Sequence, residues 1–600
     1  MLLILATLIT CFVIGCNDQQ NEDSENVTNG TGEKLPGSDG GPASESDGND
    51  RDILRFLSKS FEYDGNEHTI SITGKLPDGA EVTYTGGENG KNGATNLGTY
   101  TVNATITVPG SDPPVLTAEI KIVPKARDLS PSYNGEALMF SDTFTVLTSQ
   151  DQSYGYEFNI IDLVEKDNLG DDRIADAVAN RNRIIKKNFG VEIKRAATAS
   201  FYEELNYAVD SSDDSYDVAM ASIRDGMNLA VRSRPVDFNT ANYIDFTQGW
   251  WDQGIAEDLS LAGGTYLAIG DLCTVDKEAT WCVLFNADIL ATKNKGLSES
   301  ELHRIVKSGI GCHGGWTLEY LMVVAQLHST AENDPEKNIW DPGYQGTGNY
   351  GLFTQKETAV AFLTAGGYTP TVRSDGPEGI KSNINSMAFE DAVFSVWQLF
   401  GNITNSNWFL DLDEVVGEDP ADGWQNIAYS GFMKGKAAFY VTRIGTVKKV
   451  REMDYYFGIL PLPKLYNTQT EYANTVQYEN AQCYVIPKRA NEVQTDKISY
   501  ILEAMAYYSS EEYAGEKSLH SEYCSSLLRG KATPEDDIRQ MLDIVFENRI
   551  YDFSLSLNIR NINEAIENTV SGPSFEWMPY KVSLLGNFDE AVKNTLNGVL

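Results

Sequence analysis

The feature that most constrains the fold is an alternation of strand-like and helix-like segments that begins near residue 156. Apolar, β-branched stretches predict strands at Phe158–Ile161, Val191–Ile193 and Tyr216–Ala219. Helical periodicity predicts helices at Asp172–Asn188 and Tyr202–Val209 between them. Such alternation is typical of an α/β fold with a largely parallel sheet. Because the chain has 600 residues, more than one core is needed, and we expect two such lobes.

A different pattern, strict alternation of apolar and polar residues, occupies residues 59–125. It is clearest at Thr99–Ile106 and Leu116–Val123, where every second residue is apolar. This period predicts half-buried strands in a small all-β module. On Tyr63-Asp64-Gly65 and Gly98–Val102 the module resembles the bacterial Ig-like or MBG (YDG-type) domains of surface proteins. The resemblance implies a spacer or a weak adhesion module.

The N-terminus predicts export and lipid anchoring. Residues 1–15 are apolar and uncharged but too short to span a bilayer, which is typical of a signal peptide. They end in Val13-Ile14-Gly15-Cys16, which resembles the bacterial lipobox. The resemblance implies cleavage before Cys16 and lipidation of its sulfur. Residues 16–58 are rich in Asn, Asp, Glu, Gly and Ser and are expected to form an acidic disordered tether.

Composition excludes some functions. The formal net charge of -39 argues against nucleic-acid partners and against docking on anionic lipid, since both need a basic surface. No CxxC or HExxH pattern appears, so we predict no metal site and no cofactor. The cluster Asp411–Glu414 has too few ligands at the right spacing to predict calcium. Pairing of Cys273 with Cys282 stays open.

Ordered motifs in residues 126–600 carry a second family resemblance. They are Ala177–Arg183, Asn188–Ile193, Gly435-Lys436-Ala437-Ala438, Leu460–Lys464 and Ala481–Lys488. On these motifs the chain resembles the extracellular solute-binding proteins (family 1 type) of ABC sugar importers. The resemblance implies a two-lobed periplasmic-binding-protein-like fold (type II) in residues 126–600.

The same resemblance implies a function. We expect the lobes to close on a carbohydrate, expected to be an oligosaccharide, about crossovers near Asn286 and Ala437. The expected partners are the permease subunits of an ABC importer, and the only expected membrane contact is the lipid anchor. The expected location is the extracellular face of a bacterial cell membrane.

Candidate ligand contacts follow from sugar chemistry. Sugars present apolar faces ringed by hydroxyls, so a sugar site needs aromatic platforms, amides and carboxylates. On this basis, and on their places in the motifs, the candidates are Trp250, Trp251, Asp271, Trp316, Trp408, Trp424, Tyr440 and Arg443. Each has a structural alternative, namely core packing for the aromatics, a solvated turn for Asp271 and a surface ion pair for Arg443. If the pair at 250 and 251 is extended, one indole faces the cleft and the other the core.

Three other functions stay as alternatives. A glycoside hydrolase also uses aromatics and paired acids, but no GxSxG pattern occurs and the chain is not predicted to be an enzyme. The β module allows a surface adhesion lipoprotein. A binder of a peptide or another small solute would have the same two-lobed fold.

Overall fold

The computed structural model describes much of the chain from residue 56 to residue 597. The described residues are 56, 59–62, 66–72, 76, 79–96, 98–108, 115–123, 132–133, 136–137, 143–149, 163, 172–211, 215–241, 243–291, 297–308, 315–330, 348–373, 379–400, 408–412, 424–488, 492–528, 535–572, 574–583 and 585–597. The chain divides into two compact units between Leu129 and Ser130. Within the described ranges, none of the helices has the length and apolar character needed to cross a membrane.

The described part of the first unit consists of strands. They are β1 (Lys59–Glu62), β2 (His68–Thr69), β3 (Glu81–Gly86), β4 (Gly93–Ala94), β5 (Gly98–Thr107) and β6 (Val115–Val123). Four of them form a sheet in the order β1-β6-β5-β3, and β2 pairs with β4. The alternation seen in the sequence produces the core, because Val102, Ala104, Ala118 and Ile120 are buried on one face.

The second unit contains two larger sheets. Its strands are β7 (Ser132–Tyr133), β8 (Glu136–Ala137), β9 (Thr143–Ser149), β10 (Glu192–Thr198), β11 (Val218–Ser222), β12 (Trp281–Asn286), β13 (Tyr350–Thr354), β14 (Thr371–Arg373), β15 (Ile380–Ser382), β16 (Phe409–Asp411), β17 (Ala437–Arg443), β18 (Phe457–Leu460) and β19 (Gln482–Val485). The first sheet has the order β10-β9-β11-β19, and the second has the order β16-β13-β17-β12-β18. The predicted two-lobed α/β architecture is therefore confirmed.

Helices surround both sheets. They are α1 (Asp172–Phe189), α2 (Phe201–Ser211), α3 (Ile223–Ala230), α4 (Gln253–Asp258), α5 (Val275–Glu278), α6 (Ala287–Ala291), α7 (Glu299–Ser308), α8 (Leu318–His328), α9 (Thr358–Ala365), α10 (Met387–Phe400), α11 (Trp424–Met433), α12 (Thr446–Val450), α13 (Glu492–Ser509), α14 (Glu511–Ala514), α15 (Leu519–Leu528), α16 (Glu535–Phe546), α17 (Phe553–Leu557), α18 (Ile562–Ser571), α19 (Trp577–Ser583) and α20 (Phe588–Asn597). The predicted helices over 172–188 and 202–209 are confirmed as α1 and α2.

The first strand of the first sheet differs from the prediction. Strand β9, Thr143–Ser149, pairs in parallel with both β10 and β11. The predicted strand Phe158–Ile161 lies outside the described residues. Strand β19 returns from the far end of the chain and pairs antiparallel with β11.

The second sheet is covered on both faces. Strand β12 is fully buried, and its alternate side chains enter two different core clusters. Val283 and Phe285 belong to one cluster, whereas Cys282 and Leu284 belong to the other. The sequence of a strand that is buried on both faces is typically a continuous apolar run, and the sequence of β12 has this pattern.

The lobes are joined by a ribbon of crossing segments that we call the hinge. Thr280 bridges Val476 in antiparallel fashion, and Asn474 bridges Arg549 in parallel. The backbone N–H of Trp281 donates to Thr475 O at 3.1 Å, and that of Gln477 donates to Ala279 O at 3.0 Å. The expected crossovers near Asn286 and Ala437 are therefore misplaced.

This error arises because the motifs at Asn286 and Ala437 identify strands and not crossovers between the lobes. Asn286 ends β12 and Ala437 begins β17, and both strands belong to the second-lobe sheet. The apolar pattern locates the strands, but it does not show where the chain enters or leaves their sheet.

A buried ion cluster fixes the hinge. Arg549 bonds Asp252, at the start of α4, and reaches Asp276 on α5 at 2.8 Å. The Arg549 side chain is 7% exposed and that of Asp276 is 0% exposed. The Tyr551 hydroxyl also donates to Asp252, at 2.7 Å. Buried carboxylates without their cation are costly, so Arg549 is required to offset both of them.

We predict that Arg549→Met lowers the free energy of unfolding by about 3–5 kcal/mol, because Asp252 loses its cation and Asp276 keeps only Lys277, at 3.8 Å. Urea denaturation of both proteins measures the change. Arg304→Met is the matched control, since its ion pair with Glu301 is 62% and 37% exposed. That substitution is expected to cost less than about 1 kcal/mol. Equal losses in the two variants would contradict the assignment.

Candidate functional site

A cavity of about 420 Å³, which we call the cleft, lies at the carboxyl ends of parallel strands from both sheets. Its lining residues are Arg224, Trp281, Gln355, Lys356, Glu357, Val360, Ala361, Thr475, Val476, Gln477, Tyr478, Glu479, Asn480, Asn558, Asn563, Glu564 and Glu567. Arg224 lies two residues after β11, and Gln355 follows β13 directly. Open α/β sheets bind ligands at the carboxyl ends of their parallel strands, so the cleft is the candidate site.

Arg224 supplies the charged group of the first lobe. The chain turns from β11 into α3 through Ser222, whose hydroxyl caps the helix at Asp225 N. Arg224 pairs with Glu479 at 2.5 Å, and its Nε donates to Ser556 O at 3.2 Å. Its backbone N–H donates to Tyr478 O at 3.1 Å. The guanidinium is thus held in place while about a quarter of its side chain stays exposed.

The second lobe contributes a tryptophan backed by an arginine. Trp281 begins β12 and stands opposite Arg443, the last residue of β17. The Arg443 guanidinium lies 4.9 Å from the Trp281 ring centroid, and its Nη1 is 3.4 Å from Glu357 Oε2. Arg443 is 1% exposed. It lies beneath the cleft and orients two side chains that line it.

A row of amides connects the second lobe to the hinge. Gln477 donates its Nε2 to Glu357 Oε1 at 2.5 Å. Asn480 donates to Gln477 Oε1, and Gln482 donates to Asn480 O at 3.0 Å. Side-chain amides can donate and accept at once, as sugar hydroxyls do. The row therefore presents both hydrogen-bond donors and hydrogen-bond acceptors to one ligand.

The far rim of the cleft depends on left-handed backbone. Asn558, Arg560 and Asn561 have φ values of 48°, 55° and 56°, between α17 and α18. Asparagine tolerates this region better than most residues. Asn558 then accepts from Asn563 N at 3.1 Å and donates to the Glu564 carboxylate at 3.0 Å.

A second cavity, of about 580 Å³, shares no lining residue with the cleft. We call it the hinge-flank cavity, and it is lined by Gly249, Trp250, Trp251, Asp252, Gln253, Gly254, Glu257, Asp258, Gly270, Asp271, Lys277, His520, Asp543, Phe546, Glu547, Asn548 and Arg549. The cleft mixes amides with charges of both signs. The hinge-flank cavity has six carboxylates among its lining side chains.

Burial shifts the pKa values of several side chains that line the hinge-flank cavity. It raises the pKa of Asp271 from 3.8 to about 7, against the opposing effect of Lys277. Burial likewise raises the pKa values of Asp258 and Asp543 to about 6. It lowers the pKa of His520 to about 3, with help from nearby cations. His520 is therefore neutral across the physiological range.

The structure does not bring the predicted contacts together. Trp250, Trp251 and Asp271 line the hinge-flank cavity instead of the cleft. Both indoles are buried, at 2% and 3% exposure, so the expected division between cleft and core does not hold. Trp251 donates its Nε1–H to Glu503 at 2.9 Å. Of the predicted contacts whose side chains the structure describes, Arg443 alone directly supports the cleft lining, through Trp281 and Glu357.

Three other candidates lie in the core. Trp316 is fully buried, and its Nε1–H donates to Pro461 O at 2.8 Å. Tyr440 is 1% exposed and packs against Phe353 and Phe432; it lies inside β17 and not at its end. Trp408, 5% exposed, precedes β16.

The last two predicted residues cannot be placed in a site. Trp424 begins α11, and its side chain lies outside the described part of the structure. Cys16 lies outside the described residues.

Sequence reasoning missed Arg224, Trp281, Gln355 and Asn480, which line the cleft. A usable signal exists for two of them. Arg224 and Gln355 are polar residues that follow the buried runs Val218–Ser222 and Tyr350–Thr354 almost at once. The carboxyl ends of buried strands are where such residues gather in a site. Nothing local marks Asn480, which lies just before β19, a strand that pairs with β11 far away in sequence.

Neither a metal site nor a disulfide appears among the described residues. No cluster of three or more His, Cys, Asp or Glu side chains in those ranges has a geometry suited to a metal ion. No disulfide joins Cys273 to Cys282, and none involves Cys483 or Cys524. Burial raises the pKa of Cys524 to about 12, which leaves it as a thiol.

Comparisons with known proteins find fold similarity at low sequence identity. No protein-family model matches the chain, and no curated protein matches it. Solved structures do match. An ABC substrate-binding protein from Listeria monocytogenes in complex with cycloalternan is 12% identical, with a TM-score of 0.42, over 76% of this chain and 97% of that one.

Two further structures match in the same way. The maltose/maltodextrin-binding domain from Bdellovibrio bacteriovorus bound to maltotriose is 13% identical, with a TM-score of 0.41, over 76% and 98% of the two chains. A family 1 extracellular solute-binding protein from Alicyclobacillus acidocaldarius is 11% identical, with a TM-score of 0.43, over 76% and 98%. At these values the function has to be argued from this chain's own residues.

We predict that the free energy of unfolding of the Asp271→Asn variant, minus that of the unchanged protein, increases as pH rises from 5 to 8. The folded state binds more protons than the unfolded state between the ordinary pKa of Asp271 and about 7, so stability falls as pH rises through that window. The variant lacks this loss, and the difference should grow by more than about 1 kcal/mol. Urea denaturation at pH 5, 6, 7 and 8 measures it. A difference independent of pH would show that Asp271 ionises normally.

Proposed function

We propose that this chain is an extracellular, lipid-anchored solute-binding protein that captures a carbohydrate in the cleft and delivers it to an ABC importer. The observation that carries the proposal is the convergence of both sheets' carboxyl edges on one cavity. That cavity is lined by five side-chain amides, Gln355, Gln477, Asn480, Asn558 and Asn563. Amides and carboxylates around an indole match the hydroxyls and the apolar face of a sugar ring.

Lobe closure is the proposed mechanism of capture. Arg224 and Asn480 adjoin strands of the first-lobe sheet, whereas Trp281 and Glu357 adjoin strands of the second. A ligand that contacts both groups favours the arrangement in which they are close, since it binds that state more tightly. The hinge segments permit such a movement because short, paired crossings let the lobes rotate as bodies.

Charge favours an uncharged ligand. The cleft lining has four carboxylates, Glu357, Glu479, Glu564 and Glu567, and two cationic side chains, Arg224 and Lys356. Arg224 is already paired with Glu479. An anionic sugar would meet a net negative surface, so we infer a neutral oligosaccharide.

The remaining parts of the proposal rest on sequence. The lipobox-like segment ending at Cys16 supports an anchor, and the composition of residues 16–58 supports a tether between the anchor and the folded units. Delivery to an importer and the absence of enzymatic activity follow from the family resemblance.

We predict that neutral oligosaccharides stabilise residues 52–600 against heat. A ligand at 100 times its dissociation constant adds about 2.7 kcal/mol to the free energy of unfolding. Differential scanning fluorimetry with neutral oligosaccharides, uronic-acid oligosaccharides and peptides measures this. Stabilisation by neutral oligosaccharides alone supports the proposal. Stabilisation by peptides alone would replace carbohydrate with peptide as the ligand class.

We predict that Arg224→Ala weakens binding of the stabilising sugar roughly 10- to 100-fold, because hydrogen bonds to a charged group contribute about 1.5–3 kcal/mol. Arg234→Ala is the matched control. Arg234 follows the same helix, α3, and pairs with Asp210, but it does not line the cleft. Isothermal titration calorimetry compares the three proteins. Equal weakening in both variants would indicate a general loss of stability and not a contact.

A further inference from the structure

Helix α10 exposes aromatic side chains where an amphipathic helix would have polar ones. Its buried stripe, which faces the core, consists of Phe389, Ala392, Val393, Val396, Leu399 and Phe400. The opposite side of such a helix is normally polar. Here it carries Phe394, which is 39% exposed, and Trp397 beside it is half-buried. Because clustered apolar groups on a surface mark interaction sites, this side of α10 is a candidate binding surface.

Phe394 belongs to a cluster of five aromatic side chains around this side of α10. We call the cluster the aromatic strip, and its members are Tyr368, Phe394, Trp397, Tyr466 and Phe575. Phe394 stacks on Trp397 with ring centroids 5.5 Å apart, and it meets Phe575 at 5.1 Å. Tyr466 lies 5.8 Å from Tyr368. The two groups meet at α10, because the Ser395 hydroxyl is 2.9 Å from the Tyr466 hydroxyl.

Contacts beneath the strip hold it in place. Four of its members are partly buried against a core cluster of the second unit, namely Tyr368, Trp397, Tyr466 and Phe575. The Trp397 indole also donates its Nε1–H to Gly572 O at 3.1 Å. Side chains that are already ordered lose little conformational entropy when a ligand binds. The strip is therefore a preformed surface.

The chemistry of this surface combines apolar rings with hydroxyl groups. Tyr368, Tyr466 and Ser395 each carry a hydroxyl, a group that can both donate and accept hydrogen bonds. The exposed Asp391, one turn before Ser395 on the same helix, supplies a carboxylate. Sugar rings have apolar faces bordered by hydroxyls, so rings and hydroxyls on one surface match them.

Charge argues against several other classes of partner. The five rings are uncharged, and Lys581 beside α10 already lies 4.0 Å from Glu390. Nucleic acids, acidic glycans and anionic membranes bind surfaces with many cations. A second copy of this chain would bring together two net charges of -39. A neutral polysaccharide meets neither obstacle.

Size argues against a protein partner. An ordinary protein interface buries about 800 Å² on each side. Phe394 is the only exposed member of the strip, and the other four are half-buried. The area that the strip offers therefore suits a few sugar units better than a protein surface.

We propose that the aromatic strip is a surface site for a neutral polysaccharide. Sugar rings of the polymer lie against Phe394, Trp397 and Phe575, and their hydroxyls bond to Tyr368 and Tyr466. The site goes beyond the proposed function and does not rest on it, because no member of the strip lines the cleft or the hinge-flank cavity.

The test is native affinity electrophoresis of the full chain. Gels contain pullulan, xyloglucan, galactomannan or mixed-linkage β-glucan, and polygalacturonate is the acidic counterpart. At least one neutral polymer is expected to retard the protein, and polygalacturonate is not. Lack of retardation by all four neutral polymers would overturn the proposal, as would equal retardation by polygalacturonate.

Variants locate the site. Phe394→Ala removes an exposed ring, so it is expected to fold normally and to weaken binding roughly 2- to 10-fold, which is the usual contribution of one aromatic contact. Phe575→Ala is expected to act in the same direction. Tyr207→Ala is the matched control, because Tyr207 is 62% exposed and lies on α2, outside the strip. Equal weakening in Tyr207→Ala would overturn the assignment to the strip.

A cleft variant distinguishes this site from the proposed sugar site. Arg224→Ala is expected to leave retardation unchanged, since Arg224 lines the cleft. Retardation that is lost in Arg224→Ala and kept in Phe394→Ala would place the polymer in the cleft and overturn the surface site. Failure of every oligosaccharide to bind the cleft would leave the result unaffected.

Sedimentation velocity tests whether a second copy covers the strip instead. The protein is expected to be a monomer in the absence of polymer. A dimer that dissociates in Phe394→Ala and persists in Tyr207→Ala would make a second copy the occupant and overturn the proposal.

Discussion

The ion cluster of Arg549, Asp252 and Asp276 is the interaction on which the hinge depends. Asp252 caps helix α4 of the first lobe, and Asp276 lies on the short helix α5 that precedes β12 of the second-lobe sheet. Arg549 follows α16, which packs on β18 of the second lobe. One guanidinium therefore joins three pieces of chain that are far apart in sequence. Since buried charges are tolerated only when paired, the three pieces must stay in register.

The hinge and the cleft are built from the same backbone. The segment from Asn474 to Asn480 pairs with Ala279–Trp281 through its main chain. Its side chains Gln477 and Asn480 line the cleft. A change in lobe angle therefore moves the cleft amides directly. Ligand binding is therefore coupled to the equilibrium between the open and closed arrangements of the lobes. A ligand shifts that equilibrium by the difference between its binding free energies for the two arrangements.

Local features of the fold were predictable, because they follow from short-range periodicity. Helix Asp172–Phe189 has an amphipathic pattern that needs no other part of the chain, and its limits were predicted within a residue or two. The pairing of β11 with β19 was not predictable, because the two strands are more than 250 residues apart and the sequence of neither strand identifies its partner. The displaced crossovers have the same origin.

Most of the predicted contacts lie away from the cleft for a related reason. Indoles were taken as sugar platforms, yet tryptophan is also the side chain that gains most from burial, and Trp250, Trp316 and Trp408 are all buried. The residues that line the cleft are mostly polar side chains drawn from strand ends, loops and helices. Their types are common on any surface, so only their convergence in space distinguishes them.

The two cavities also show why composition alone misleads. The chain's net charge of -39 is a property of the whole surface, but the carboxylates are not spread evenly over it. In the cleft they alternate with amides and cations and are solvated or paired, which suits neutral hydroxylated ligands. In the hinge-flank cavity they are concentrated, and burial raises the pKa of Asp271 there to about 7. One acidic chain can therefore hold two cavities of different electrostatic character, because that character depends on how carboxylates are grouped and not on how many there are.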